Sequence, residues 1–166
     1  MRAVVTRVTS AAVDVEGERV GAIGAGLLVL VGVGHDDTAA TATALARTIA
    51  GLRILRGERA LTDEAQPEAL VVSQFTLLAD TRRGRRPSWS AAAPGPVAAP
   101  LVEVVVATLS DLGISVRTGR FGADMAVTSV NDGPVTIVLD VPAPDRPGPA
   151  RARHDTGLGP AGLTTT

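Results

Sequence analysis

The stretch that decides the fold is residues 26–33, with the sequence GLLVLVGV. It is a continuous apolar run between glycines, and it is shorter than a typical helix of a globular protein. A short run that is apolar on every side is typical of a β-strand whose two faces are both covered. We therefore predict that this segment is the central strand of a sheet.

Antiparallel strands are predicted on the N-terminal side of this run. Residues 4–9 are rich in β-branched side chains, and in residues 11–16 Val13 and Val15 alternate with Asp14 and Glu16, which favours two strands. Gly17 stands where a hairpin turn would lie before a further strand over residues 19–23. The protein is thus expected to open with antiparallel pairing.

A helix and a second buried strand are predicted after the central run. Residues 36–38 (DDT) offer an N-cap for an amphipathic helix that ends near Gly51. A charged and irregular stretch over residues 56–68 follows. Residues 69–76 (ALVVSQFT) then return as a buried strand that carries polar side chains near its end.

The C-terminal half predicts one more helix and three strands. A loop rich in Arg, Ser and Pro leads into a helix over residues 97–112, in which Pro100 is tolerable only if it lies in the first turn. The predicted strands cover residues 114–118, 125–130 and 135–141. The fold class is therefore α+β, with a mixed and largely antiparallel sheet.

We predict one domain over residues 1–141. Residues 142–166 shift to Pro, Gly, Ala, Arg and Thr without periodic apolar positions, so this tail is expected to be disordered. The N-terminus lacks the apolar core of a signal peptide, and no apolar run is long enough to span a bilayer. We expect a cytoplasmic protein without membrane contact.

Composition argues against several classes of site. The chain has no cysteine and only two histidines, His35 and His154, so we expect no metal, no thiol nucleophile and no Ser-His-Asp relay. No cofactor is predicted. The aromatic residues are Phe75, Trp89 and Phe121 alone, which argues against nucleic-acid binders that stack bases on aromatic platforms. Because the formal net charge is -1, any RNA contact must be local.

The polar end of the strand over residues 69–76 is the first candidate for chemistry. Ser73 and Thr76 offer hydroxyl groups and Gln74 offers an amide. No neighbouring residue supplies the base that would activate either hydroxyl. Considered alone, these side chains favour a structural role.

Residues 131–136 (NDGPVT) are the second candidate. Asn, Asp, Gly and Pro are turn residues, so by itself the segment predicts a hairpin turn between two strands. Gly133 followed by Pro134 allows another arrangement, because a cis peptide bond would turn two successive carbonyl groups outward without side chains. Such a rigid wall could probe the shape of a small ligand.

A basic loop is the third candidate. Four arginines crowd residues 82–86 and could bind phosphate groups, with two helpers upstream. The four are Arg82, Arg83, Arg85 and Arg86, and the helpers are Arg56 and Arg59. A solvated loop kept soluble by its charge explains the same arginines equally well.

Three segments together resemble the signature motifs of the D-aminoacyl-tRNA deacylases. They are residues 72–77 (VSQFTL), residues 118–125 (TGRFGADM) and residues 131–136 (NDGPVT). The similarity runs from Met1 to about Val141 in the family's order of segments. It implies an enzyme that hydrolyses the ester between a D-amino acid and tRNA, on a barrel-like fold of mixed sheets with two main helices.

The resemblance further implies a homodimer whose active sites lie at the subunit interface. The Gly133-Pro134 peptide would be cis, would enter the partner's active site and would act as a gate, with Arg7 helping to hold it. Its two carbonyl groups would leave no room for the Cβ atom of an L-amino acid, whereas a D-side chain points away. Glycine, which lacks Cβ, should pass the gate.

Substrate contacts and mechanism are also implied by the resemblance. The aminoacyl group would lie between the gate and residues 73–76. The terminal adenosine of the tRNA would lie near residues 121–125. The catalytic residues are then Ser73, Gln74, Phe75 and Thr76, and the adenosine contacts are Phe121, Gly122 and Met125. The tRNA's own 2'-hydroxyl would assist hydrolysis while backbone N–H groups near Phe75 and Thr76 polarise the ester carbonyl. A nucleophilic hydroxyl at Thr76 is the alternative.

Two other functions remain open at this point. The first is a sister deacylase with relaxed or L-amino-acid specificity, and the second is a non-catalytic dimeric tRNA-binding protein that uses residues 82–86. The sequence also departs from the family pattern, since residues 57–61 (GERAL) replace its usual Gly-Lys-Met-Asn stretch and Trp89 stands where Phe is common. These departures put the loop over residues 56–68 in doubt as an RNA contact.

Overall fold

The computed structural model describes residues 1–82 and 85–143. Six strands form one mixed, nearly closed and barrel-like sheet with the order β2-β1-β3-β4-β5, and β6 pairs with β1. The strands are β1 (Arg2–Val15), β2 (Glu18–Ile23), β3 (Gly26–Gly32), β4 (Glu68–Ser73), β5 (Ser115–Thr118) and β6 (Ala126–Asp140). The helices are α1 (Ala39–Gly51) and α2 (Gly95–Asp111), and two short 3-10 turns cover Leu61–Asp63 and Phe75–Leu78.

The central strand is β3, as predicted. It pairs antiparallel with β1 on one side and parallel with β4 on the other, and β4 continues the parallel pairing to β5. Six of its seven residues are buried, as expected for a strand covered on both faces. Its apolar side chains pack with those of the two helices, including Leu45 and Leu109, in the larger hydrophobic core.

The prediction of two N-terminal strands was wrong, because residues 2–15 form the single strand β1. This strand is long because it pairs with β3 from Arg2 to Val8 and with β2 from Ala11 onwards. The predicted hairpin to β2 is confirmed. Its two turn residues, Glu16 and Gly17, have φ angles of 53° and 82°, as the twist of a tight hairpin requires.

Helix α1 agrees with the prediction and ends at Gly51. Of the three candidate caps, Thr38 is the N-cap, and its side chain forms a capping box with Thr41. Asp37 instead accepts a hydrogen bond from the backbone N–H of Gly34 at 2.7 Å. It therefore ties the end of the β3 segment to the start of the helix.

Helix α2 begins at Gly95, two residues before the predicted start. Pro100 is consequently the sixth residue of the helix and lies beyond the first turn. Because proline has no N–H, the carbonyl of Pro96 lacks its usual helical donor. Neither helix in the described part of the chain is long and apolar enough to cross a membrane.

Two further strand predictions need correction. The strand β4 ends at Ser73, and Phe75–Leu78 forms a 3-10 turn in place of the predicted strand end. The predicted strands over residues 125–130 and 135–141 are one strand, β6, which pairs with β1 along nearly its whole length. The segment between them is therefore no hairpin. Of the predicted tail, only residues 142 and 143 are among those described.

Candidate active site

The Gly133-Pro134 segment forms a wide bulge in β6. Thr136 pairs with Thr6 and Asn131 pairs with Val8, so the four residues 132–135 lie opposite the single residue Arg7. A bulge of this kind lifts extra residues out of the ladder without ending the strand. The bulge explains why residues typical of turns occur in the middle of a strand. The peptide bond between Gly133 and Pro134 is cis.

Side chains from β1 and β6 hold the bulge in place. The Arg7 Nε donates to the carbonyl of Asp132 at 2.8 Å, and its Nη1 donates to the carbonyl of Ile54 at 2.8 Å. In return, the Asn131 Nδ2 donates to the Arg7 carbonyl at 2.9 Å and to the Val135 carbonyl at 3.4 Å. The backbone on both sides of Gly133 and Pro134 is therefore anchored, while these two residues themselves remain exposed.

The end of β4 turns sharply into residues 73–76, which the resemblance predicts to be catalytic and which we call the catalytic segment. The backbone N–H of Gln74 still bonds the Val31 carbonyl of β3 at 2.7 Å, after which the 3-10 turn begins. The first N–H groups of a helical turn have no partner within the turn. Among the described residues, those of Phe75 and Thr76 have no backbone acceptor. Two backbone donors are thus available beside Ser73.

The Thr76 hydroxyl is engaged by a neighbour, and no basic side chain in the described part of the chain is hydrogen-bonded to it. The Gln74 side-chain amide donates a hydrogen bond to its Oγ1. Within residues 1–82 and 85–143, no group of three His, Cys, Asp or Glu side chains is placed to hold a metal ion. Nothing in the described geometry of the segment turns either hydroxyl into a strong nucleophile.

A pocket of about 170 Å³ joins the catalytic segment to the loop before β6. Ser73, Gln74 and Phe75 line one side, and Phe121 and Gly122 line another, although they lie far apart in the sequence. Small and β-branched side chains of β3 and α2 complete its walls. A second pocket of about 380 Å³ adjoins it and shares Ser73 and Phe121. The two pockets together form a groove that is large enough for part of a nucleotide. The lining of this groove is mainly apolar, as in most ligand sites.

Of the predicted catalytic and adenosine-contact residues, Thr76 and Met125 lie outside both pocket linings. Thr76 follows the lining residues in the 3-10 turn, and Met125 packs against the smaller hydrophobic core beside β2 and β4. The structure adds residues that the sequence analysis did not select for the site. Ala98 and Val102 of α2 form a wall, and the Trp89 ring meets the Phe75 ring edge-on at 5.6 Å. The only sequence signal for Ala98 and Val102 was the apolar spacing of a helix, and Trp89 lies in the loop before α2.

The basic loop has more internal pairing than the sequence predicts. Arg82 donates to both carboxylate oxygens of Asp80, at 2.9 and 2.8 Å. This side-chain hydrogen bond, helped by the Arg82 backbone N–H, lowers the pKa of Asp80 to about 2. Arg85 and Arg86 are exposed and form no ion pair with another described residue. Arg83 lies outside the described residues.

The two upstream arginines also have partners. Arg56 donates to both carboxylate oxygens of Asp132, and Arg59 lies 3.4 Å from the carboxylate of Glu64. Both guanidinium groups are therefore paired within the chain, although their side chains stay exposed. The role of the basic loop in tRNA binding stays a prediction that rests on its exposed members.

Sequence comparison gives a consistent result over the described domain. The sequence profile of the D-Tyr-tRNA(Tyr) deacylase family matches residues 4–140. A D-aminoacyl-tRNA deacylase of Kineococcus radiotolerans is 65% identical over 141 residues, covering 84% of this chain and 99% of the relative. One of Nocardia farcinica is 62% identical over 143 residues, with coverage of 84% and 99%. The resemblance seen in the motifs is confirmed.

Solved structures confirm the fold. The c-Myc DNA unwinding element binding protein superposes with a TM-score of 0.78 and 38% identity, covering 86% of this chain and all of that one. A probable eukaryotic D-amino acid tRNA deacylase superposes with a TM-score of 0.74 over 84% of this chain and 98% of that one. The latter is 15% identical, so it supports the architecture alone. The predicted barrel-like α+β class is correct.

Proposed function

Since this chain belongs to the D-Tyr-tRNA(Tyr) deacylase family, whose enzymes hydrolyse the ester bond of aminoacyl-tRNA, we propose that it clears D-amino acids and spares L-aminoacyl-tRNA. Its products are the free D-amino acid and tRNA. Mischarged glycyl-tRNA is the second expected substrate. The reaction serves proofreading in translation, and we propose that it takes place in the cytoplasm.

The single observation that carries this proposal is the pocket shared by the catalytic segment and the Phe121 loop. It brings an apolar wall and an exposed aromatic ring next to backbone N–H donors, without a histidine, a cysteine or a metal cluster in its lining. An adenosine can pack on the ring of Phe121 while its ester lies near the N–H groups of Phe75 and Thr76. The substrate class of the relatives fits this geometry.

Hydrolysis of the ester needs water, stabilisation of the developing oxyanion and a leaving hydroxyl. In our proposal the backbone donors of Phe75 and Thr76 stabilise the negative charge on the carbonyl oxygen. The 2'-hydroxyl of the terminal ribose assists the attacking water, because no basic side chain of residues 1–82 and 85–143 is hydrogen-bonded to the Thr76 hydroxyl. A substrate-assisted route therefore requires no catalytic base from the side chains of the protein.

Stereospecificity is assigned to the gate. Gly133 and Pro134 are exposed and absent from the pocket linings of their own chain, so a second subunit is the proposed recipient of the gate. Held against a bound ester, their carbonyl groups would exclude the Cβ atom of an L-amino acid by contact. The proposed homodimer would then contain two sites, each built from both subunits.

A deacylation assay tests the function. Purified protein should release D-tyrosine from D-tyrosyl-tRNA under conditions in which the ester alone is stable. A protein that binds this tRNA without releasing the amino acid would be the non-catalytic tRNA-binding protein, and the deacylase proposal would be abandoned. The pairing of Arg82 with Asp80 already removes one basic group that such a binder would use.

The role of Thr76 is tested by removing its hydroxyl. We expect Thr76→Ala to keep substantial activity, since the Thr76 Oγ1 is engaged by Gln74 and is hydrogen-bonded to no base among the described residues. A substrate that ends in 2'-deoxyadenosine should react poorly with the wild-type enzyme. A folded but inactive Thr76→Ala enzyme, together with full activity on the deoxy substrate, would favour the nucleophile alternative.

A further inference from the structure

Asp132, the residue before the gate, lies between two guanidinium groups. Its Oδ2 is 3.2 Å from the Nε of Arg7 and 3.0 Å from the Nε of Arg56, and its Oδ1 accepts a second bond from Arg56. The Asp132 side chain is only 11% exposed, and that of Arg7 is 15% exposed. A carboxylate this buried is stable only when it is paired and hydrogen-bonded.

We propose that Asp132 and Arg56 are positioning residues that set the chiral selectivity of the gate. This inference rests on the proposed function, because it concerns the same Gly133-Pro134 carbonyl groups. The clamp consists of Asp132, Arg7 and Arg56. The clamp holds Asp132, the residue just before the gate, through hydrogen bonds to its backbone carbonyl and to its side-chain carboxylate.

Arg7 alone cannot supply this restraint. Its Nε is shared between the carbonyl and the carboxylate of Asp132, and its Nη1 is committed to the Ile54 carbonyl. Arg56 approaches Asp132 from the loop after α1 and donates through two nitrogens, which is the fork geometry that orients a carboxylate. The loop over residues 52–60 is thus joined to the gate by both arginines.

The bulge has an intrinsic need for such a restraint. Between Asn131 and Thr136 the β6 backbone has no register partner on β1, so the ladder does not fix the four residues of the bulge. A displacement of the gate carbonyl groups by about 1 Å is enough to change a rate by two orders of magnitude in a positioned site. Selectivity against a single Cβ atom is therefore sensitive to the clamp.

The exposure of Arg56 separates positioning from simple stabilisation. Its side chain is 78% exposed, and exposed ion pairs contribute little to stability. Because Asp132 keeps its contact with Arg7 in Arg56→Ala, this variant should lower the melting temperature only slightly. If the clamp positions the gate, the same variant must still change the ratio of the D-ester and L-ester hydrolysis rates.

The experiment compares Arg56→Ala, Arg56→Lys and Asp132→Asn with the wild type and with Arg53→Ala. Arg53 is an exposed arginine of the same loop that donates to the Glu58 carbonyl at 2.7 Å, so it is a matched control. Hydrolysis of D-tyrosyl-tRNA and L-tyrosyl-tRNA is measured for each protein. We expect Arg56→Ala and Asp132→Asn to reduce the D-to-L rate ratio by about tenfold. Arg56→Lys should restore part of it, and Arg53→Ala should keep it.

An unchanged rate ratio in Arg56→Ala, with a selective wild type, would overturn the clamp and leave the proposed function intact. The same conclusion would follow if both rates fell in parallel. Asp132→Asn can lose stability because it alters a buried charge, so the Arg56 variants decide the outcome when it does not fold. A wild type that hydrolyses neither ester would overturn the proposed function and this inference with it.

Discussion

The backbone at Gly133 leaves no space for a side chain. A Cβ atom there would lie 2.1 Å from the amide nitrogen of Val135, which is far inside van der Waals contact. The close approach belongs to the bulge itself, since Val135 closes it through the bond between its carbonyl and Asn131. The shape of the gate therefore depends on the absence of a side chain at Gly133 and on the neighbouring residues that anchor the bulge.

Gly133→Ala should therefore distort the bulge and weaken selectivity. We expect the free energy of unfolding to fall by about 1 to 3 kcal/mol, as for other forced overpacking, and L-ester hydrolysis to rise relative to D-ester hydrolysis. Gly51→Ala is the control, because a Cβ atom at Gly51 meets nothing within 4 Å. Urea unfolding and the two rates check the prediction. Equal effects of the two substitutions would contradict it.

The helices and strands show which features of the fold can be predicted from a single sequence. The run of eight apolar residues identified β3, and the spacing of apolar residues identified α1, because local periodicity records which faces are buried. The break predicted in β1 was wrong because this strand pairs with β2, β3 and β6 along its length. The break predicted in β6 was wrong because long-range contacts of Arg7 and Asn131 hold residues that favour turns inside the strand. Likewise, the pocket unites Ser73 with Phe121 through tertiary packing that no local pattern contains.

The proline inside α2 gives a prediction at the level of a helix. Pro100 is the sixth residue, so alanine there would supply the missing N–H to the Pro96 carbonyl and remove the ring from the preceding turn. We expect Pro100→Ala to raise the free energy of unfolding by about 1 to 3 kcal/mol. The change will be at the lower end if the unfolded chain gains much freedom.

Pro96→Ala is the control for that measurement. Pro96 is the second residue of α2, where proline is favourable and no helical N–H is lost. Urea unfolding should therefore show little change or a slight loss of stability. A loss on Pro100→Ala as large as any loss on Pro96→Ala would show that the proline does not strain the helix.

Exposed apolar side chains on the surface of the molecule support the proposal that the site is completed by a second subunit. The gate lies in β6, whose exposed side chains include Val130 and Val138, and the pocket edge carries the exposed rings of Phe75 and Phe121. Large exposed apolar groups at a gate and at a pocket are what an interface between two copies would cover. In the proposed dimer, the gate of one chain would meet the pocket of the other.

Mixed dimers test this arrangement. Phe121→Ala impairs the pocket and keeps the gate, whereas Gly133→Ala impairs the gate and keeps the pocket. When Gly133→Ala subunits are refolded with an excess of Phe121→Ala subunits, each intact pocket receives an intact gate from its partner. L-ester hydrolysis per Gly133→Ala subunit should then fall towards the wild-type level while D-ester hydrolysis persists. An L-ester rate that ignores the partner would show that each chain gates its own pocket.

The most direct measurement of the whole account is the wild-type hydrolysis rate on three esters of one tRNA, carrying a D-amino acid, glycine or the L-enantiomer. The gate predicts loss of the D-ester and of the glycyl ester, because neither places a Cβ atom against the Gly133 and Pro134 carbonyl groups. The L-ester should decay only at its rate without enzyme. Equal rates for the D-ester and the L-ester, or no enzymatic hydrolysis of any of the three, would contradict the account.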